Sequence, residues 1–410
     1  MQVPPSASGP VGFSVSAKQP QTKLPRYHSL DSLRAVMMML GLVLHTSINY
    51  VPVLPVGIGW PYQDAHTNPI FDWLIVFIHV FRMPVFFTVA GFFAAFLVET
   101  RGTRAFLRHR WSRIGVPLIF GWLVIFPAMA GSMFYAQQFT AVPPPPKTDL
   151  SAASLERVWE HLLMHLWFLY HLLLLCMGAS VLIPLVRRIP ETVRARFLDV
   201  FSRSIHGPMI ALFAAASGAM LYQMRSWSID YWGGLLPPLR ILGTYGLFFL
   251  FGWLLFKRRE VLDRFKRPAW GYFMAGLVCF FIHRYFVDTG CGTGRFCDPT
   301  AVGEHVGAIL FLAPTIWFLV YGFLGLFLRY MERPSVPWRY MADASYWMYI
   351  VHPPLVMVLP TFLASVALPA VVKFLLVLSA ATAVILVTYH YGVRATFIGE
   401  QLNGRRYPRK

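Results

Sequence analysis

The chain has 410 residues, of which 57% are hydrophobic and 13% charged, with a mean hydropathy of +0.55. Soluble domains carry roughly 25% charged residues, so the composition excludes an ordinary water-soluble enzyme and indicates a polytopic membrane protein. The formal charge of +18 is spread between apolar runs and gathers in no single patch or tail, so it does not point to nucleic acid.

Residues 1–25 are rich in Pro, Ser, Gln and Gly and read as a disordered cytoplasmic tail, not a signal peptide. Ten apolar segments follow, at 30–53, 69–98, 112–136, 158–185, 206–224, 235–256, 269–288, 301–328, 341–366 and 368–393. Each is long enough for a membrane-spanning helix of about 20 residues. The last boundary rests on a turn signal at Ala367, Leu368 and Pro369. The expectation is an all-α polytopic bundle of about ten transmembrane helices over 26–396, followed by a basic cytoplasmic tail at 397–410.

The basic residues orient this bundle. With the N-terminus in the cytoplasm, 28 of the 36 Lys and Arg residues fall inside, 7 outside, and Arg82 within a span. This is the alternation the positive-inside rule requires, and it places both termini in the cytoplasm. The stretch 139–155, with prolines at 143–146, becomes an outer loop. Cys291 and Cys297 share another, where an oxidising compartment permits a C-x5-C disulfide. Cys176 and Cys279 lie in apolar runs.

An ionisable side chain at membrane depth costs roughly 2.5–3.5 kcal/mol on insertion scales and usually faces the protein interior. The first helix carries Asp31, Arg34 and His45. The 11 positions from Arg34 to His45 bring both onto one face, about 16 Å apart along the axis. Asp31 shares that face, with Met38, Gly41 and Leu42 between, and Gly41 leaves room for a thin ligand or a close helix. Asp31 is expected mainly to cap the helix. Arg34 serves equally as a cytoplasmic anchor or a ligand site, and His45 reads as functional. In the second helix Arg82 lies mid-span in HVFRMPVFF with no acid within one turn. It needs an anionic ligand or a partner on another helix, such as Glu160. Pro84 should free a carbonyl and kink that helix.

The fourth segment, WEHLLMHLWFLYH, sets His161 and His165 at i and i+4, one helix face, with Trp167 and Phe168 beyond. That spacing could bind zinc. No HExxH and no third ligand accompany it, so a polar, aromatic-walled site is expected and no metal. In the ninth, SYWMYIVHPP, the residues Ser345, Tyr349 and His352 share a face beside a proline break. They suit a substrate wall or hydroxyls satisfying carbonyls around a kink. His283, Glu304 and His305 lie near the outer surface and could line an acceptor mouth.

RYHSLDSLRAVMMMLGLVLHTSINY, then FRMPVFFTVAGFF with the basic run RGTRAFLRHRWSRIGVP, then HLWFLYHLLLL and SYWMYIVHPPL resemble, in order, the membrane acyltransferase family 3. The resemblance covers about residues 26–393. The family's Arg–ten residues–His signature matches Arg34 and His45. Ala90 stands where the family is expected to carry Ser. LDSLRA, FRM-x-VFF and HLWFL are most similar to members taken to succinylate periplasmic glucans in Gram-negative bacteria. The resemblance implies an inner-membrane O-acyltransferase with acyl-CoA, succinyl-CoA foremost, as co-substrate and no bound cofactor. A periplasmic glucan hydroxyl is the acceptor, and lipid surrounds the protein. His45 would be the general base, Arg34 the group facing the CoA phosphates, and Arg82 the partner of the oxyanion or of a succinyl carboxylate. Asp31, His161, His165, Trp167, Ser345, Tyr349 and His352 would form the substrate walls. An acetyltransferase of another envelope polysaccharide, or a transporter of a glycan or acyl donor, would use the same residues.

Overall fold

The computed structural model describes residues 26–54, 59–141, 159–224, 226–291 and 300–407. The tail 1–25, most of the proline-rich loop 139–155, and Cys297 lie outside these. Among the described residues the protein is a bundle of α-helices without strands. Among the described residues nine helices are long and apolar enough to cross a membrane, or ten if one bent pair counts as a span.

The helices are α1 (His28–Ser47), α2 (Ile70–Arg101), α3 (Thr103–Arg110), α4 (Val116–Ala136), α5 (Trp167–Arg188), α6 (Glu191–Ser204), α7 (Pro208–Leu221), α8 (Leu239–Lys257), α9 (Ala269–Cys291), α10 (Val302–Tyr330), α11 (Val336–Val358), α12 (Ala370–Thr388) and α13 (Phe397–Asn403). Three departures from the sequence reading matter. The segment expected at 158–185 is broken: residues 159–160 are helical, 161–163 turn, 164–166 form a 3-10 stretch, and the long α-helix begins at Trp167. The segment expected as the fifth span is the 14-residue α7, which is long enough to cross only together with α6, from which it is bent by 99°. Residues 397–403 form α13, which is held against the bundle by Arg113 donating to the Glu400 and Gln401 carbonyls at 2.9 and 3.0 Å.

α1 and α2 occupy the centre. α1 packs on α11 and α2, and α2 packs on α8 and α10. Apolar surface gains little from leaving lipid, so membrane helices associate through close backbone approach at small residues. A Cβ at Gly91 would lie 1.9 Å from the Phe249 carbonyl oxygen, and one at Gly252 would lie 1.8 Å from that of Thr88. These two glycines therefore lock α2 to α8. α4 and α12 lie at the periphery and turn Phe120, Val124, Leu375 and Val387 outward, as lipid-facing helices do. α2 continues through Pro84 without interruption, and Thr88 Oγ1 donates to the Pro84 carbonyl at 2.9 Å.

Candidate active site

α1 and α2 together build the first part of the site. Arg82 lays its guanidinium over Gly41, so closely that a Cβ there would stand 2.3 Å from Arg82 Nη1. The gap expected at Gly41 is thus filled by an arginine. It sits one helical turn from His45 and within electrostatic reach of His45 and His352. Arg82 Nε is buried without a hydrogen-bond partner. Among the described residues no acid, Glu160 included, is within ion-pair distance of it.

α11 supplies the second part. His45 Nδ1 and His352 Nε2 are 2.7 Å apart, with the two ring planes parallel to within 5°. The protons follow from the neighbours. His352 Nδ1 faces the carbonyls of Met348 and Tyr349 at 3.0 and 2.9 Å. Carbonyls only accept, so Nδ1 carries hydrogen and Nε2 offers its lone pair. His45 must then donate from Nδ1, which leaves its Nε2 unprotonated. His45 Nε2 has no protein partner among the described residues.

The prolines after His352 explain why those carbonyls are available. In a helix the N–H of residue i bonds the carbonyl of i−4. Pro353 and Pro354 have no N–H, so the carbonyls of Tyr349 and Ile350 lose their helical donors. His352 Nδ1 donates to the first, and His165 Nε2 donates to the second at 3.2 Å. An HPP sequence inside a helix thus presents two acceptors that fix two imidazoles.

His165 lies edge-on to His352, with ring centroids 5.7 Å apart, and the Tyr349 hydroxyl donates to the His165 carbonyl at 2.5 Å. His161 does not join it. The backbone between them is a turn in which Met164 has φ 45°, not a helix, and His161 is exposed. Trp167 is buried against Tyr231 and Tyr245, close to Arg82's surroundings but not against the His45–His352 pair. The Ser345 hydroxyl is buried and donates to Ala342 in its own helix at 2.8 Å. His283 is buried and bonded to the Ala308 carbonyl at 2.9 Å, and Glu304 packs at Gly290. His305 is stacked between Tyr222 and Trp227. All three lie in α9 and α10, apart from the histidine cluster.

Two irregular segments, 161–166 and 226–238, run alongside these side chains. Leu163 N–H bonds the Gly233 carbonyl at 2.7 Å, and His79 Nε2 meets the Ile229 carbonyl at 2.7 Å.

At the N-terminal end of α1, Asp31 accepts from Arg26 at 2.9 Å and lies 3.6 Å from Arg34; it makes no cap hydrogen bond. Arg34 also stands within electrostatic range of Arg110 and Arg113. Arg110 closes α3, and Arg113 lies in the π-helical turn Trp111–Gly115 that follows it. Arg110 buries Nε and Nη2 without partners. The sequence signal for this cluster is the basic run 101–113, a cytoplasmic basic loop that the family resemblance sets with Arg34 toward the CoA phosphates, without singling out Arg110 or Arg113. Pro353, Pro354 and Arg110 are the site residues that the spacing arguments missed.

The site thus has three arginines at one end, of which Arg110 keeps two buried nitrogens unpartnered, a further arginine midway, and beyond it an imidazole whose Nε2 has no protein partner among the described residues. The chain belongs to the acyltransferase domain family, whose profile matches residues 27–390, and it is a membrane acyltransferase. Among curated relatives it is 24% identical to the glucans biosynthesis protein C of Salmonella schwarzengrund (strain CVM19633) over 390 residues, 93% of this chain and 95% of the relative. Proteins of the same name from Salmonella paratyphi B and Salmonella heidelberg match at 24%, with the same coverage. No solved structure matches the chain.

Proposed function

We propose that the protein moves an acyl group, succinyl foremost, from acyl-CoA to hydroxyls of a periplasmic glucan in the bacterial inner membrane, with the N-terminal end of α1 in the cytoplasm. The observation that carries this reading is the free Nε2 of His45, oriented by His352. The names of the relatives support the glucan. The CoA phosphates would meet Arg34, Arg110 and Arg113, and the acyl arm would reach from there toward Arg82 and His45. The sugar oxygen attacks the thioester carbonyl while its proton passes to His45 Nε2. Arg82 stabilises the oxyanion of the tetrahedral intermediate or holds the distal carboxylate. Collapse breaks the C–S bond, and the departing CoA thiolate takes the proton back from His45.

The test is acyl transfer by purified His45→Ala protein. A loss of about 10²–10⁴-fold is expected, the range for a general base, with insertion and melting temperature retained. Wild-type rates in a folded variant would overturn the mechanism. A transporter would consume no thioester at all.

A further inference from the structure

Residues 59–69, which lead into α2, are tied down more closely than a connection requires. Pro61, Tyr62, Gln63 and Asp64 are buried. Lys373, one of the seven cations that the charge count sets on the outer side, is fully buried and bonds both Asp64 oxygens at 2.9 Å. Tyr62 Oη and the His66 N–H also donate to Asp64, at 2.9 and 2.8 Å. Gln63 Nε2 donates to the Val51 and Pro52 carbonyls at 2.7 and 3.0 Å, and the Asp64 N–H to the Asn49 carbonyl at 2.9 Å. Desolvating two charges is costly, and simple loop closure does not demand it.

What this scaffold holds in place is Trp60. Its Nε1 donates to Asn49 Oδ1 at 2.8 Å. Asn49 is buried, and its amide nitrogen donates to the Thr46 and Val356 carbonyls, both at 3.0 Å. The amide orientation, and with it the indole, is therefore fixed. Trp60 is part-exposed, with its ring centroid 6.0 Å from that of His45 and tilted by 33°. It lies toward the end of the bundle opposite the arginine cluster, since Asn49 follows the last turn of α1.

We propose that Trp60 is the platform for the acceptor saccharide, an inference that rests on the glycan-acceptor reading above. A pyranose ring presents a face of C–H bonds that packs on the electron-rich face of an indole. A ring seated there brings a hydroxyl toward His45 Nε2 from the side away from the acyl donor. Asn49 and the Asp64–Lys373 pair are positioning residues that act through Trp60.

The test is calorimetric titration of the purified full-length protein in detergent with a β-glucan oligosaccharide, and separately with CoA. Trp60→Ala is expected to weaken glucan binding about tenfold or more while CoA binding persists, which also reports that the variant is folded. Trp60→Phe keeps an aromatic face and is expected to lose less than about threefold. Unchanged glucan affinity in Trp60→Ala, or equal losses in both variants, would overturn the platform. A wild-type protein that binds CoA but no glucan would overturn the glycan-acceptor reading, and the platform with it.

Discussion

Gly41→Ala separates what the site needs from what the fold needs. The added Cβ would stand 2.3 Å from Arg82 Nη1, whereas ordinary contact is about 3.5 Å. The guanidinium must therefore withdraw by roughly 1 Å. It is the free end of a flexible side chain, so it can move. The helix itself gains, because Ala is better than Gly in a helix interior by about 0.5–1 kcal/mol. Stability should hold or rise, while a displacement of about 1 Å of a group acting on the reacting atoms costs on the order of 10²-fold in rate. The assay is the initial rate of acyl transfer from acyl-CoA to glucan by purified protein, with the melting temperature measured alongside. Gly178→Ala in α5, where a Cβ meets nothing within 4 Å, is the control for the helix effect and should retain activity. A folded Gly41→Ala protein with kcat/KM within about twofold of wild type would refute the placement of Arg82 at the chemistry.

Pro353→Ala restores an N–H that competes with His352 Nδ1 for the Tyr349 carbonyl; the melting temperature should rise, since proline in a helix interior costs about 3 kcal/mol, while kcat falls, by less than the loss from His45→Ala. An unchanged kcat would reduce the proline pair to helix shape alone. Arg82→Gln, assayed with succinyl-CoA and acetyl-CoA, should lose succinyl transfer by the larger factor, about 1.5–3 kcal/mol for a hydrogen bond to a charged group, and Arg82→Lys should rescue poorly for want of a planar fork. Equal losses for both donors would assign Arg82 to the oxyanion. Single cysteines at exposed Leu236 and at Arg264 should label from outside intact cells in the first case only, and the reverse would overturn the orientation.

What the sequence disclosed depends on how far each inference had to reach. Arg34, Gly41 and His45 were legible because one uninterrupted helix carries all three, and a 3.6-residue period assigns a face without knowledge of the rest of the chain. His161 and His165 were misplaced by the same rule, since it presumes a helix where Met164 takes a positive φ. Counting positive charge set Lys373 on the outer side as a solvated cation, because such counting treats every lysine alike; its partner Asp64 is 309 residues away. His352 bonds to His45 across 307 residues, and Trp60 lies in a segment with no period, so neither contact leaves a local mark. The two prolines are the most instructive case. Read locally, HPP signals a break, with hydroxyls called in to satisfy the freed carbonyls. In the folded chain α11 runs on through both prolines, and the carbonyls of Tyr349 and Ile350 accept from imidazoles instead. The missing N–H groups thus act on the site through the acceptors they leave behind: they fix the proton on His352 Nδ1, hence the donor on His45 Nδ1, hence the lone pair on His45 Nε2 that a hydroxyl can use.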